Sequence, residues 1–267
     1  MSVNYYWLRF KTEWQSYLEY RADIFIYALS SIVTPIIGLA VWISVANTGV
    51  NLAYSKADLV TYFLLVMFIN NITAVWGSYF VGEKINNGGF SMYLLKPISI
   101  MGEYAINNLV EKLQKLLFVT IGIILTSYFL LGFGYLEFKI SVFSLVLFLP
   151  SLLMAIVINF ILDMTLGLAT FWTHDSYFLS SLSSLARDFF SGRIIPIIFL
   201  PMVVKEVVTL SPLRYVISFP IEVLLNKLTT PDLIFGFILE FSWLLVLLIL
   251  YKLIFKLGVK RYQGYGG

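Results

Sequence analysis

Six long apolar stretches take up most of this 267-residue chain, and they determine the solvent in which it folds. They cover residues 24–46, 59–81, 105–131, 142–172, 177–203 and 233–255. Each reaches the roughly 20 residues that an α-helix needs to cross about 30 Å of hydrocarbon. Lipid offers the backbone no hydrogen-bond partners, whereas a helix pairs its own N–H and C=O groups. The sequence therefore predicts an all-α membrane protein with six transmembrane helices.

The composition leaves little material for a separate water-soluble domain. Apolar residues make up 60% of the chain, charged residues 12%, and the mean hydropathy is +0.88. A soluble domain is closer to 45–50% apolar and about 25% charged. We therefore expect one transmembrane domain over residues 1–267. The absence of cysteine excludes a disulfide framework and a thiolate metal site, and the small, dispersed net charge of +3 argues against a nucleic-acid partner.

The distribution of lysine and arginine predicts the orientation. If the N-terminus is inside, the inner segments carry about twice as many basic residues as the outer ones, which is typical of cytoplasmic segments. Both termini are then cytoplasmic, in a multi-pass protein of the cell membrane. The first 21 residues are charged and aromatic and have no signal-peptide pattern.

Residues 1–21 have the pattern of a helix that lies on the membrane surface. At 100° per residue, one face carries the apolar side chains Trp7, Phe10, Trp14, Tyr17 and Leu18. The opposite face carries the polar side chains Arg9, Thr12, Glu13 and Ser16. An apolar stripe with tryptophan and a charged back indicates an interfacial helix. The alternative is a cytoplasmic helix packed on the bundle.

The polar connection between the second and third stretches, residues 82–103, is predicted to be a cytoplasmic loop. Asn86-Asn87-Gly88-Gly89 interrupts the chain, and a short apolar segment, 90–95, ends before Pro97. Such a segment beside a membrane suits docking into a partner's groove. A loop that folds back on the lipid surface fits the residues equally well.

Four charged side chains inside or near the apolar stretches are candidates for a translocation path. Asp163 and Arg187 lie at similar distances, roughly 16–20 Å, from the turn that joins the fourth and fifth stretches, so they can pair across it. Asp188 is an equally close competitor, and Glu240 has no obvious mate. Charges at membrane depth are usually paired or face a water-filled path, so a structural ion pair is the alternative.

Residues 192–231 are predicted to form a re-entrant and extracellular connection. Prolines follow the fifth stretch at 196, 201, 212 and 220, and they forbid one continuous helix. Residues 194–204 are nevertheless strongly apolar. A broken pair of short helices that dips back from the outer face fits both facts, with Gly192, Pro196 and Pro201 as candidate gate residues.

Several motifs of enzymes and nucleotide-binding proteins are missing. The chain has no G-x-x-x-x-G-K-[ST] loop, H-E-x-x-H, G-x-S-x-G or Cys/His cluster. We therefore expect no reaction centre in this chain.

The order and spacing of several short motifs resemble a known family over nearly the whole chain. They are Gly82-Glu83-Lys84-Ile85 with Gly88 and Gly89, Leu94-Leu95-Lys96-Pro97-Ile98-Ser99, Phe171-Trp172-Thr173, Ser191-Gly192 with Pro196, Leu200-Pro201, Ser211-Pro212-Leu213-Arg214-Tyr215, Phe219-Pro220 and the tail 260–267. Together they resemble the membrane-spanning permease subunit of an ATP-binding-cassette (ABC) transporter of the type-2 exporter class. Within that class, they resemble the "ABC-2 family transporter protein" branch, related to daunorubicin-type exporters.

The resemblance implies six spans, an N-terminal interfacial helix, a coupling helix after the second span and re-entrant helices after the fifth. It also implies two permease subunits, as a homodimer or a pair of paralogues, above two cytoplasmic ATPase subunits. ATP and Mg²⁺ would bind those ATPase subunits, and this chain would bind no cofactor. The expected ATPase-coupling residues are Glu83, Lys84, Phe90, Leu94, Leu95, Lys96 and Pro97, of which Phe90, Leu94 and Leu95 would be apolar anchors.

Two other functions remain open from the residues. A stand-alone channel or ion-coupled carrier would use Asp163, Arg187 and Glu240, and a membrane scaffold would transport nothing. The expected path walls of Phe, Tyr, Leu and Ile suit an amphipathic or lipid-like cargo better than an ion.

Overall fold

The computed structural model describes residues 2–19, 21–50, 52–131 and 141–262. These residues form α-helices and two short 3-10 turns, with no β-strand among them, so the predicted all-α class is confirmed. The glycine-rich end of the tail motif, 263–267, lies outside the described residues.

Twelve α-helices follow one another in the described part of the chain. They are α1 (Ser2–Glu19), α2 (Arg21–Asn47), α3 (Lys56–Thr73), α4 (Gly77–Asn86), α5 (Ser91–Leu95), α6 (Ile100–Leu131), α7 (Val142–Leu168), α8 (Thr170–Thr173), α9 (Ser176–Phe190), α10 (Met202–Leu210), α11 (Ser218–Leu224) and α12 (Thr230–Arg261). The 3-10 turns are Ile197–Phe199 and Arg214–Val216.

Five helical segments in the described ranges are long and apolar enough to cross a membrane. They are Phe25–Asn47, Lys56–Asn86, Ile100–Leu130, Val142–Thr173 and Thr230–Arg261. The count of six spans is not confirmed, because the predicted fifth span, 177–203, is not one helix. Helix α9 ends at Phe190 after 15 residues, or about 22 Å. The apolar composition continues, but Gly192 takes a left-handed φ of +89° and Pro196 follows, and these two residues redirect the chain.

The predicted second span, 59–81, is interrupted in the middle. Helix α3 ends at Thr73, Ala74 has φ −53° and ψ 135°, and α4 begins at Gly77. The predicted loop 82–103 is correspondingly shorter, since α4 continues to Asn86 and α6 begins at Ile100. With 32 residues, or about 48 Å, α6 is longer than the hydrocarbon core requires.

Helix α7 lies at the centre of the bundle, where it contacts α3, α4, α9, α11 and α12. Lipid tails are as apolar as leucine, so membrane helices associate through close packing and hydrogen bonds rather than through the hydrophobic effect. Gly167 of α7 illustrates this contact. A Cβ there would lie 2.8 Å from the Cβ of Val81 and 2.9 Å from the carbonyl oxygen of Gly77. Only a residue without a side chain allows α4 to approach α7 so closely.

Helix α1 packs against the polar beginning of α6 through its charged face. The Arg9 guanidinium contacts Glu13 at 2.6 Å and Glu103 at 3.2 Å. The side-chain amide of Asn107 donates to Glu13 at 3.0 Å. The two charged residues of this face, Arg9 and Glu13, therefore bind the bundle, whereas Trp7 and Leu18 on the apolar stripe are exposed. The interfacial position of α1 stays a prediction.

Candidate functional site

The interruption between α3 and α4 is closed by side chains from two neighbouring helices. The amide of Asn159 donates to the carbonyl oxygen of Thr73 at 2.7 Å, and the amide of Asn108 donates to that of Ala74 at 3.1 Å. The backbone N–H of Trp76 donates to the Tyr104 hydroxyl. These bonds replace those that a continuous helix would make, as a membrane interior requires. These residues lie about 15–18 Å from the C-terminus of α4, inside the segment Lys56–Asn86 that is long and apolar enough to cross a membrane.

Asp163 supplies the fourth partner of this interruption and also joins α9. Its Oδ2 accepts from the backbone N–H of Ser78 at 2.9 Å, and its Oδ1 accepts from the Ser183 hydroxyl at 2.9 Å and from Nη1 of Arg187 at 2.8 Å. Asp163 is fully buried. The expected pairing of Asp163 with Arg187 across the turn is therefore present, whereas Asp188 pairs with Arg193 at 2.6 Å.

The remaining charged candidate, Glu240, lies apart from this cluster. It is fully buried on α12, and its Oε1 accepts from the Ser151 hydroxyl of α7 at 3.1 Å. It lines neither the large cleft beside α4 nor the apolar cleft between α6 and α7. The four candidates for a translocation path are therefore not brought together in one place.

The predicted coupling segment contains the short helix α5, and the residue before this helix buries its aromatic ring in the bundle. Phe90, just before α5, is 0% exposed, and its ring centre lies 5.1 Å from that of Phe171 and 5.3 Å from that of Tyr262. The expectation that Phe90 is an anchor for a partner is therefore wrong, because the bundle already encloses this ring. The exposed apolar side chains are those of Met92, which the sequence reasoning missed, Leu94 and Leu95.

The other four coupling candidates lie on either side of α5. Lys96 and Pro97 follow it and are exposed. Glu83 and Lys84 belong to α4, where Glu83 is exposed, and the Lys84 ammonium lies 5.7 Å from the centre of the Phe80 ring. Only Lys96 and Pro97 therefore continue the exposed surface of α5.

The predicted gate residues form the turn that follows α9. The carbonyl oxygen of Gly192 accepts from the Tyr62 hydroxyl at 2.8 Å, and a Cβ on Gly192 would lie 2.5 Å from that hydroxyl. Pro196 precedes the 3-10 turn Ile197–Phe199, and Pro201 precedes α10. Both prolines therefore mark the beginning of short helical segments, as the pattern of breaks predicted.

A buried ion pair lies beside this turn, and the sequence reasoning missed its role. Arg214 and Glu222 pair at 2.6 Å, and the Ser218 hydroxyl donates to the other oxygen of Glu222 at 2.6 Å. The backbone N–H of Ser218 donates to the carbonyl oxygen of Ser191 at 3.0 Å. The spacing of Arg214, Ser218 and Glu222, each four residues apart, is the signal that was available. The pair holds α11 against the gate turn.

No three His, Asp or Glu side chains are grouped so as to hold a metal ion in the part of the chain that the structure describes. The contacts described above are hydrogen bonds and ion pairs between helices.

Comparison with known proteins adds the family. A family profile described as "ABC-2 family transporter protein" matches residues 29–266, which is most of the chain. No curated protein matches the chain at a significant level. The family consists of the membrane components of ABC transporters, which associate with an ABC ATPase, and the apolar helices agree with that assignment. The chain is an integral membrane protein with the character of a transporter permease, and it belongs to the ABC-2 family transporter proteins.

Proposed function

We propose that this chain is the membrane-spanning subunit of an ATP-driven exporter and forms half of its translocation pathway. Family membership supports the transporter part of the proposal. One observation carries the coupling part. The side chains of Leu94 and Leu95 on the short helix α5 are exposed, whereas Phe90, just before α5, is buried and fixes the helix to the bundle. The protein would lie in the cell membrane with both termini in the cytoplasm, and the export direction is part of the proposal, in line with the resemblance to type-2 exporters.

The exposed surface of α5 is the proposed docking site for the cytoplasmic ATPase. Leu95 is 85% exposed, and the exposed Met92 and Leu94 share the same five-residue helix. Side chains of this kind favour insertion into a groove of a partner. Lys96 and Pro97 would form the rim of the contact. ATP and Mg²⁺ would bind to the ATPase, and this chain would bind neither.

Hydrogen bonds around α5 would transmit a movement of this helix to the membrane-spanning helices. The backbone N–H of Phe90 donates to the carbonyl oxygen of Lys84 at 2.8 Å, so α5 is tied directly to α4. The Tyr262 hydroxyl donates to the carbonyl oxygen of Gly88 at 2.9 Å, which ties the same turn to the end of α12. Displacement of α5 by the ATPase would therefore move α4 and α12 together.

The interruption before α4 would let this inner half-helix tilt without the outer half, α3. A hinge needs backbone that is not held by a continuous helical ladder. The side chains of Asn108, Asn159 and Asp163 would hold one of two tilts in place until ATP-driven closure of the ATPases favours the other. A second permease subunit, as an identical copy or a paired paralogue, would form the other half of the path within the lipid bilayer.

The docking proposal is tested by Leu95→Asp, alone and with Leu94→Asp, in the chain co-expressed with its partner ABC ATPase. Val50→Asp is the matched control, since Val50 is 57% exposed but lies in the connection between α2 and α3, at the opposite end of the path from α5 in the proposed orientation. We expect the Leu95→Asp complex to lose at least about tenfold in ATPase co-purification, because an aspartate is costly in an apolar groove.

Thermal unfolding of each purified variant separates folding from docking. The docking variants and the control should melt at the same temperature as the unchanged chain, because the substituted side chains are already exposed. An ATPase complex that forms and hydrolyses ATP normally with the double variant would overturn the docking site. Transport by the purified chain in vesicles without ATPase would instead favour a stand-alone channel or carrier. That alternative has less support, because Asp163 is already hydrogen-bonded at both oxygens.

A further inference from the structure

A cleft of about 890 Å³ opens beside α4 on the side of the bundle that carries α1. Its walls come from α1, the beginning of α2, α4, the beginning of α6 and α9. Small-molecule sites commonly occupy about 300–1,000 Å³. The cleft is thus large enough for an organic molecule, and it adjoins the helix that the proposed mechanism moves.

The charges on the walls of this cleft are mostly negative. The lining contains one ammonium group, that of Lys115, and four carboxylates, those of Glu13, Asp23, Glu83 and Glu111. Every other lining residue is uncharged. Asp23 and Glu83 are exposed and make no ion pair with another described residue. Two negative charges therefore remain available to a ligand at the cleft surface.

The same walls are rich in aromatic rings. Tyr27, Trp76, Tyr79 and Tyr177 are all exposed and line the cleft. The negative face of an aromatic ring attracts a cation that lies within about 6 Å of its centre. Rings also supply apolar area, which a small hydrated metal ion cannot use but an organic cation can. The lining therefore favours a ligand that combines positive charge with apolar surface.

The cleft already contains one cationic side chain, that of Lys115. Its ammonium bonds to Glu111 and lies 5.4 Å from the centre of the Tyr27 ring. The pKa of the neighbouring Tyr17 hydroxyl is raised, first by burial and then by the carboxylates of Glu111 and Glu13. A carboxylate and a ring thus act together on one ammonium group in this cleft.

We infer that this cleft binds an amphipathic organic cation, with Asp23 and Glu83 as its counter-charges and Trp76 and Tyr79 as its aromatic wall. The serine hydroxyls of Ser180 and Ser184 on α9 would meet polar groups of the ligand on the opposite side. This inference rests on the proposed transport function, because it assigns the class of cargo to the same protein.

Binding is measured on the purified full-length chain in lipid nanodiscs, without ATPase, with two probes of nearly equal shape and opposite charge. Binding of each probe to protein-free nanodiscs of the same lipid is subtracted, because the membrane dipole potential makes the bilayer itself take up hydrophobic anions more strongly than cations. Tetraphenylphosphonium is the cationic probe, and tetraphenylborate is the anionic one. We expect the cation to bind in a saturable way and the anion to bind at least about tenfold more weakly, since the two probes differ mainly in charge. Equal binding of both probes, or no saturable binding of the cation, overturns the inference.

Variants then assign the binding to this cleft. Asp23→Asn with Glu83→Gln should weaken binding of the cation at least about tenfold, and Asp23→Lys with Glu83→Lys should reverse the preference toward the anion. Asp188→Asn removes a carboxylate outside the cleft and should leave both affinities unchanged. Cation binding that survives both double substitutions would overturn the inference. Because no ATPase is present, this outcome is independent of the docking experiment on Leu95.

Discussion

The carboxylate of Asp163 on α7 accepts a hydrogen bond from the backbone N–H of Ser78 at 2.9 Å, at the first turn of α4. A carboxylate in this position stabilises a helix N-terminus, because the first N–H groups have no partners within the helix. The same carboxylate pairs with Arg187 of α9. One side chain therefore holds together α4, α7 and α9 at the point where the second span is interrupted.

Asp163→Asn is expected to destabilise the protein by up to about 3–5 kcal/mol, because it leaves the mostly buried guanidinium of Arg187 without a counter-charge. Denaturation of the purified protein in detergent, monitored by circular dichroism, measures the loss. Adding Arg187→Gln should recover part of it by removing the unpaired charge.

The control for this prediction is Asp188→Asn, which breaks the more exposed pair with Arg193. Partly exposed pairs contribute about 1 kcal/mol or less. Equal losses for the Asp163 and Asp188 variants would show that the buried pair has no special structural role.

Gly192→Ala is expected to destabilise the turn after α9 for two reasons. The residue has φ +89°, which an L side chain rarely adopts, and its Cβ would lie 2.5 Å from the Tyr62 hydroxyl. Gly49→Ala is a matched control, because Gly49 has φ +82° with no atom within 4 Å of its Cβ position. The melting experiments should show an extra loss of about 1–3 kcal/mol for Gly192→Ala, which is typical of overpacking. If both variants lose the same amount, only backbone strain matters at this turn.

Asn108→Leu removes the donor to the carbonyl oxygen of Ala74 in the interruption. A buried carbonyl without a partner costs about 1–3 kcal/mol. Hydrogen exchange around residues 74–78 should accelerate, and overall stability should fall. Asn107→Leu, one residue earlier, breaks a bond to the half-buried Glu13, which keeps its partner Arg9. We expect a smaller loss there, and unchanged exchange at 74–78 in both variants would contradict this role of Asn108.

Glu103→Gln is expected to loosen α1 from α6. Glu103 is buried, its Oε1 pairs with Arg9 at 3.2 Å, and its Oε2 accepts from the Tyr5 hydroxyl at 3.3 Å. Trypsin should cleave after Arg9 and Lys11 faster in this variant. Glu111→Gln breaks a pair within α6 itself, with Lys115, and should change cleavage in α1 less. Identical cleavage rates in the two variants would show that the buried charge does not fasten α1.

Long runs of apolar residues were sufficient to predict the helical membrane class, because lipid forces each run to satisfy its own backbone. The prolines at 196 and 201 likewise predicted breaks, since proline lacks the N–H that a helix uses. The proximity of Asp163 and Arg187 followed from counting residues on both sides of one turn. In each case the signal is local, or it spans one hairpin of known geometry.

The interruption before α4, the enclosure of Phe90 and the cleft beside α4 depend on contacts between segments that are far apart in sequence. No residue near Ala74 forbids a helix there. The break is possible because side chains of other helices form hydrogen bonds with the backbone groups that lose their helical partners; these side chains are Asn108, Asn159, Tyr104 and Asp163. From the sequence, Phe90 was predicted to be an exposed anchor, but in the folded protein Phe171 and Tyr262 enclose its ring. The sequence by itself determined which segments are apolar and that such segments fold mainly as helices. Only tertiary packing decided which side chains complete a distant backbone and which remain free, because those hydrogen bonds and contacts exist only between assembled helices.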